Sequence, residues 1–228
     1  MKKFEVAILS GGRGTRVKKY TRNIPKCLIE INGKPFLYHQ LKYLKKNNIK
    51  SVIILVGYLG EKVKSYLEKN IDFIKVKVVS DGKKLLGTGG AILKSLNYLK
   101  KNFFIIYGDS YLNFNLKKLI NKNTIATMAI FKNQNKYDRS NIEIKNSQNI
   151  SYYKEKPNKK LLYIDYGASY LSKKIFQGVK KNTKFDLSTM FEKISHENML
   201  KGYIVKKRFY EIGSYNGIKD IKKYLKNQ

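Results

Sequence analysis

Phe4-Glu5-Val6-Ala7-Ile8-Leu9 runs without a break into Ser10-Gly11-Gly12-Arg13-Gly14-Thr15-Arg16, and this junction decides the fold. The first six residues form a short apolar run, the mark of a strand buried on both faces. The glycines that follow end the strand and let the backbone approach a ligand closely. Turned N–H groups in such a loop form an anion nest. Arg13, Arg16 and, a little further on, Lys26 of Ile24-Pro25-Lys26 add cations beside it. Together they suit a polyphosphate. A dinucleotide fingerprint does not fit, because Gly14 is followed by Thr15-Arg16-Val17 rather than by the required third glycine. The Gly-Lys-Ser/Thr of a P-loop is also missing.

Working outward, strands and helices alternate over the first two-thirds of the chain. Phe36, Leu37, Leu41 and Leu44 fall at helical spacing and predict a helix over Phe36 to Lys46. Ser51 to Val56 reads as a second buried strand, Glu61 to Glu68 as a helix and Val76 to Val79 as a short strand. Thr88 to Leu99 reads as a helix opened by a glycine-rich turn. Phe103 to Tyr107 is a further buried strand that ends at Gly108-Asp109. Continuous apolar strands separated by helices predict an α/β domain whose parallel sheet is covered on both faces. Ligands of such sheets bind outside the carboxyl ends of the strands, which is where Gly11-Gly12-Arg13-Gly14 and Gly108-Asp109 fall. The last third is more mixed. It has strands expected over Ile125 to Phe131, Ile142 to Ile144, Ile150 to Lys154 and Tyr163 to Leu171, partly antiparallel, and helices over Asp186 to Ser195 and Tyr215 to Leu225. Asn133 to Asn141 reads as a loop. With no Pro-, Gly- or Ser-rich linker and no repeat, the 228 residues are expected to form one domain, large enough for a proper core.

The net charge of +32 invites a nucleic-acid or membrane reading. Only five of the 48 basic residues are arginine, however, and the lysines are spread along the chain. Specific base readout favours bidentate arginine, so a solvated lysine-rich surface is the better reading, and no specific nucleic-acid partner is expected. No apolar run approaches 20 residues, so no membrane span is expected. The start of the chain lacks the apolar core and cleavage site of a signal peptide. Cys27 is the only cysteine, which rules out an internal disulfide. These features point to the cytoplasm. His39, on an apolar-spaced helix, and His196, near a helix end, read as packed or surface residues, and Cys27 as a buried bystander. Tyr58, Tyr107 and Tyr111 lie near predicted strand ends and are candidates to border a pocket.

Several further blocks stand in a fixed order. Gly33-Lys34-Pro35 follows Pro25-Lys26. Leu86-Gly87-Thr88-Gly89-Gly90-Ala91-Ile92, Gly108-Asp109, Glu155-Lys156-Pro157, Tyr166-Gly167-Ala168 and Glu211-Ile212-Gly213-Ser214 come after it. The segment from Leu9 to Pro35 resembles the signature of the sugar-phosphate nucleotidyltransferases, and the later blocks resemble that family's motifs across nearly the whole chain. Leu-Gly-Thr-Gly-Gly-Ala-Ile points to the heptose 1-phosphate guanylyltransferases as the nearest branch.

The resemblance implies a three-layer α/β/α, Rossmann-like nucleotidyltransferase fold of the GT-A-like kind, with a mixed, mostly parallel central sheet. Residues 1–122 would form the nucleotide-binding portion and 123–228 the acceptor-binding portion. It implies that an NTP and a sugar 1-phosphate give an NDP-sugar and pyrophosphate with Mg²⁺, in supply of capsule or lipopolysaccharide. GTP and heptose 1-phosphate are preferred by resemblance alone. Leu9, Gly11, Gly12, Arg13, Gly14, Thr15, Gly87, Thr88 and Gly108 would bind the nucleotide. Arg16 would clamp the β- and γ-phosphates and Lys26 would touch the α-phosphate. Glu155, Lys156 and Gly167 would bind the acceptor, with Lys156 on its phosphate. Asp109 and Glu211 would hold the metal; Glu211 is one methylene longer than the family's usual Asp, so the ion shifts or is held through water. A phosphate monoester is already an anionic nucleophile, so no general base is required, and catalysis is positioning and charge stabilisation. A CTP-dependent cytidylyltransferase acting on a phosphorylated alcohol or amine such as phosphocholine is the alternative, favoured if tyrosines form a cage for a quaternary ammonium. A glycosyltransferase of similar architecture is disfavoured, because Gly108-Asp109-Ser110-Tyr111 has no second Asp. Oligomeric state, including a homo-oligomer, stays open.

Overall fold

The computed structural model describes residues 3–82, 85–146 and 148–228. In chain order the elements are β1 (Phe4–Ser10), α1 (Lys18–Thr21), β2 (Glu30–Ile31), β3 (Lys34–Pro35), α2 (Phe36–Lys46), β4 (Ser51–Val56), α3 (Gly60–Asn70), β5 (Lys75–Ser80), α4 (Gly87–Ser95) and β6 (Leu99–Tyr107). They continue with β7 (Ser110–Tyr111), β8 (Ala126–Lys132), β9 (Ile142–Ile144), β10 (Ile150–Tyr152), β11 (Tyr163–Ser172), α5 (Leu187–His196), β12 (Leu200–Ile204), β13 (Tyr210–Glu211) and α6 (Tyr215–Lys226). One sheet runs β10-β9-β11-β6-β1-β4-β5, with β8 beside β11 and β12 beside β8. β6, β1, β4 and β5 are parallel, whereas β11 is antiparallel to both β6 and β8. The sheet is therefore mixed, as expected, and its strands come from both sides of residue 122.

β4 and the carboxyl-terminal parts of β1 and β6 are apolar because both faces are covered, whereas the edge strand β5 alternates lysine with valine. On one face Val6, Ile8, Val52 and Ile54 pack with Leu37, Leu41 and Leu44 of α2 and Val63 and Leu67 of α3. On the other, Ala7, Ile53 and Leu55 meet Ala91 and Ile92 of α4 and Leu187, Phe191 and Ile194 of α5. Successive side chains of a strand point to opposite faces, so a single apolar run feeds both cores. A third cluster joins Val17, Ile29, Ile31 and Phe36 to Ile212, Ile218 and Ile221, and so ties the start of the chain to α6.

Two expectations are corrected. The helix expected over Thr88 to Leu99 stops at Ser95; a 3-10 turn at Leu96–Tyr98 follows and Leu99 already opens β6. Leu99 pairs with Phe4 of β1, so its apolar side chain serves the sheet rather than the helix face. The strand expected over Ile150 to Lys154 ends at Tyr152. α1 and the β7–β13 ladder went unread, as did two further features. β12 pairs parallel with β8, and β2 and β3 form a hairpin about Asn32 and Gly33, both at positive φ. Asn-Gly between short runs is the signal for that hairpin.

Candidate active site

A cavity of about 410 Å³ opens at the carboxyl ends of β6, β1, β4 and β5. Leu9, Ser10, Gly11 and Gly12 line it from the end of β1, and Gly108 and Asp109 line it from the end of β6. Gly87, Thr88 and Ala91 close it from the start of α4, and Lys26 and Cys27 lie over it from the turn after Pro25.

Local chemistry holds each piece. Gly14 sits at φ +66, and the Thr21 hydroxyl donates to its carbonyl oxygen at 3.0 Å, which pins the glycine loop. Gly108 donates its N–H to the Leu9 carbonyl at 2.9 Å, and a Cβ there would stand 2.3 Å from Ser10 Oγ. Only glycine lets β6 close against β1 at this point. Gly87, at φ +75, would meet the Phe185 carbonyl oxygen at 2.5 Å if it carried a Cβ. Gly89 and Gly90 donate N–H groups to that same oxygen, and Thr88 N–H donates to Asp186 Oδ1 at 3.3 Å. The loop before α4 is thus fastened to the segment that starts α5.

Lys26 Nζ donates to Asp109 Oδ2 at 2.7 Å, and both side chains are mostly buried. Next to Asp109, β7 pairs with β13, which sets Glu211 opposite Ser110, and Ile212 N–H donates to the Asp109 carbonyl at 3.0 Å. The Glu211 carboxylate accepts from Gly213 N–H and the Ser214 hydroxyl. Burial raises its pKa; Asp109 adds to the rise, while those two hydrogen bonds and Arg16 oppose it. Asp109 and Glu211 are oxygen donors of the kind a hard divalent cation takes, alongside phosphate oxygens. Among the described residues no group of three or more His, Cys, Asp or Glu gathers as a metal site.

The remaining expected residues lie around this centre. Arg16 pairs with Asp138 at 3.5 Å, an exposed contact across the cleft, and reaches Gly213 on the Glu211 side. Arg13 and Thr15 line a separate basic hollow with Lys18, Lys19, Arg22 and Tyr58. Gly167, at φ +91, packs against Ser110 where β11 shifts register. Glu155 and Lys156 are exposed; Lys156 lines a third hollow with Arg139, Lys159 and Lys160, outside the cavity that holds Asp109. Of the three strand-end tyrosines only Tyr107 lines the cavity, and Tyr111 is buried against Phe36, Tyr43 and Tyr224. Cys27 is buried, and burial pushes its thiol up to about 12, so it is unreactive despite facing the cavity. His39 is packed, with Nε2 2.8 Å from the Ile31 carbonyl.

Three polar lining residues were given no role in the sequence reading: Ser10, Asp81 and Asp186. Asp81 directly follows a strand that was read correctly, so the strand-end rule applied to it as it did to Asp109. Ser10 Oγ is buried with no hydrogen-bond partner among the described residues.

A family model described as nucleotidyl transferase matches residues 5–228, nearly the whole chain. This chain is a member of the nucleotidyl transferase family. The nucleotidyltransferase is 36% identical over 198 residues to the D-glycero-alpha-D-manno-heptose 1-phosphate guanylyltransferase of Campylobacter jejuni, covering 86% of this chain and 87% of that enzyme. It is 29% identical over 229 residues to the enzyme of the same name from Aneurinibacillus thermoaerophilus, covering 98% and 99% of the two chains. Among solved structures, HddC from Yersinia pseudotuberculosis superposes with a TM-score of 0.83 at 26% identity, over 97% of this chain and 99% of that one. HddC has also been solved complexed with GMP-PN, and that structure superposes at 0.82. The inositol-1-phosphate CTP transferase of T. maritima, at 21% identity and a TM-score of 0.79, shares the fold. No helix among the described residues of this nucleotidyltransferase is long and apolar enough to cross a membrane.

Proposed function

We propose that this chain is a cytoplasmic guanylyltransferase that joins GMP from GTP to a heptose 1-phosphate, giving GDP-heptose and pyrophosphate. The observation that carries this reading is the single cavity in which the glycine loop, Lys26, Asp109 and the Gly87-Thr88 turn converge. The choice of GTP and heptose leans on the two guanylyltransferase relatives.

In this reading the base lies by Gly87 and Thr88 and the triphosphate crosses Gly11 to Thr15 toward Arg16. A phosphate oxygen of the acceptor attacks the α-phosphorus in line; the new P–O bond forms as the bond to the β-phosphate oxygen breaks, and pyrophosphate leaves. Lys26 exchanges Asp109 for the α-phosphate, where charge spreads as the reaction proceeds. Arg16 leaves Asp138 for the β- and γ-phosphates. Lys156 and Glu155 belong to the acceptor side with Gly167, so that residues 1–122 handle nucleotide and 123–228 handle acceptor. Lys156 serves the acceptor phosphate by swinging in from the exposed segment that carries it. Asp109 and Glu211 would hold Mg²⁺, which would offset phosphate charge when bound. The β7–β13 pairing that sets Glu211 opposite Ser110, next to Asp109, brings both carboxylates to one place.

The phosphocholine alternative loses ground, because a quaternary ammonium needs an aromatic cage and Tyr107 is the only tyrosine lining the cavity among the described residues. Mass spectrometry of a reaction containing GTP, D-glycero-α-D-manno-heptose 1-phosphate and Mg²⁺ tests the proposal. GDP-heptose is the expected product. CDP-choline formed from CTP and phosphocholine, with no GDP-heptose, would replace it with the alternative.

A further inference from the structure

Asp81 has no part in the phosphate chemistry, yet its side chain lines the same cavity. It stands at the carboxyl end of β5, where its N–H continues the ladder to the Val56 carbonyl at 3.0 Å. The strand order β6-β1-β4-β5 puts it three strand spacings from Asp109, roughly 14 Å at about 4.8 Å per strand. A nucleotide laid across the strand ends, with its α-phosphate at Asp109 and Lys26, therefore brings its base to Asp81. Apolar walls from Leu9, Leu55 and Ala91 lie between the two ends.

One oxygen of the carboxylate, Oδ2, accepts from Leu86 N–H at 3.2 Å. Among the described residues the other has no hydrogen bond and the carboxylate has no ion pair. Lys94, the cation whose charge acts on this carboxylate, spends its ammonium on the Ser80 and Asp81 carbonyls at 2.8 and 3.1 Å. A half-buried carboxylate accepts and cannot donate. Of the common bases only guanine presents two adjacent donors, N1–H and the N2 amine, on one edge. Uracil and thymine flank their N3–H with carbonyl oxygens that repel a carboxylate, and adenine and cytosine set an acceptor beside their amine. We propose that Asp81 is the residue that selects guanine, by accepting from N1–H and N2–H with the oxygen that Leu86 leaves open. This rests on the guanylyltransferase reading and supplies a reason for it that lies in this chain's own residues.

The test is Asp81→Asn, with nucleotide binding measured by calorimetry without acceptor and turnover followed by pyrophosphate release. Asn keeps an oxygen for Leu86 N–H, so the loop anchor survives; thermal unfolding checks this. Wild type should prefer GTP over ITP, which lacks the N2 amine, by about tenfold or more. In D81N that preference should collapse, KM for GTP should rise while KM for heptose 1-phosphate stays put, and XTP, whose C2 carbonyl matches the new amide N–H, should become the better nucleotide. A general loss of loop structure would not raise XTP use. D81N that folds and keeps the wild-type GTP-to-ITP ratio overturns the inference, as does the same collapse in Asp186→Asn but not in D81N. Wild type that binds no GTP would instead strike the guanylyltransferase reading itself.

Discussion

At the scale of single residues, the account turns on a few charged groups. Asp109→Ala should cost turnover about 10²-fold or more, the usual scale for removing one electrostatic contact to the reacting centre; a pyrophosphate-release assay measures it. Lys156→Ala should raise KM for the acceptor and leave nucleotide binding intact, which calorimetry with GTP alone would verify. Asp165 offers a stability test. Burial lifts its carboxyl to about 6, against hydrogen bonding from Gly167 and Tyr107. A carboxyl whose folded pKa is raised weakens the fold above about pH 6, where its charge is buried, and that penalty disappears as pH falls towards its unfolded value near 4. Asp165→Asn should therefore melt higher than wild type at pH 8, with the gap closing by pH 4. An equal gap at both pH values would remove the titration from the explanation.

At the scale of elements, the central parallel strands were plain in the sequence, because a strand covered on both faces reads as a nearly continuous apolar run. Their carboxyl ends located the glycine loop and Asp109 directly. What stayed hidden depended on contacts distant in sequence. Leu99 reads as a helix residue until Phe4 is seen beside it. β12 carries Lys201 and Gly202 in its middle and is a strand because β8 lies alongside. Asp186 is an ordinary acidic residue until the fold brings it to the cavity. Lys156 shows the converse: its motif is legible, but the exposed segment that carries it sets it in a different hollow. The loop before α4 supplies the element-scale prediction. Gly87→Ala forces a side chain into positive φ against the Phe185 carbonyl, and should cost about 1–3 kcal/mol of stability and raise KM for GTP. Denaturant unfolding and a nucleotide titration would detect both.

At the scale of the whole molecule, a single mixed sheet carries the glycine loop and the Gly87-Thr88 turn on its parallel half, and β11, with Gly167, on its antiparallel half. Arg16, after β1, pairs with Asp138, after β8, and the ladder of β7 with β13 sets Glu211 opposite Ser110, next to Asp109. The charge of +32 is carried largely by lysine; binding to nucleic acid should be weak and vanish as salt rises, with turnover far less affected. The central claim, transfer of a nucleotide to a sugar 1-phosphate, is tested most directly by pyrophosphate release from purified protein with Mg²⁺. The assay would offer ATP, GTP, CTP, UTP and dTTP in turn, each with glucose, mannose and heptose 1-phosphates and phosphocholine. Release with GTP and heptose 1-phosphate, absent in Asp109→Ala, is the predicted result. Release confined to another pair, or silence across the panel from folded protein that binds GTP, would contradict it.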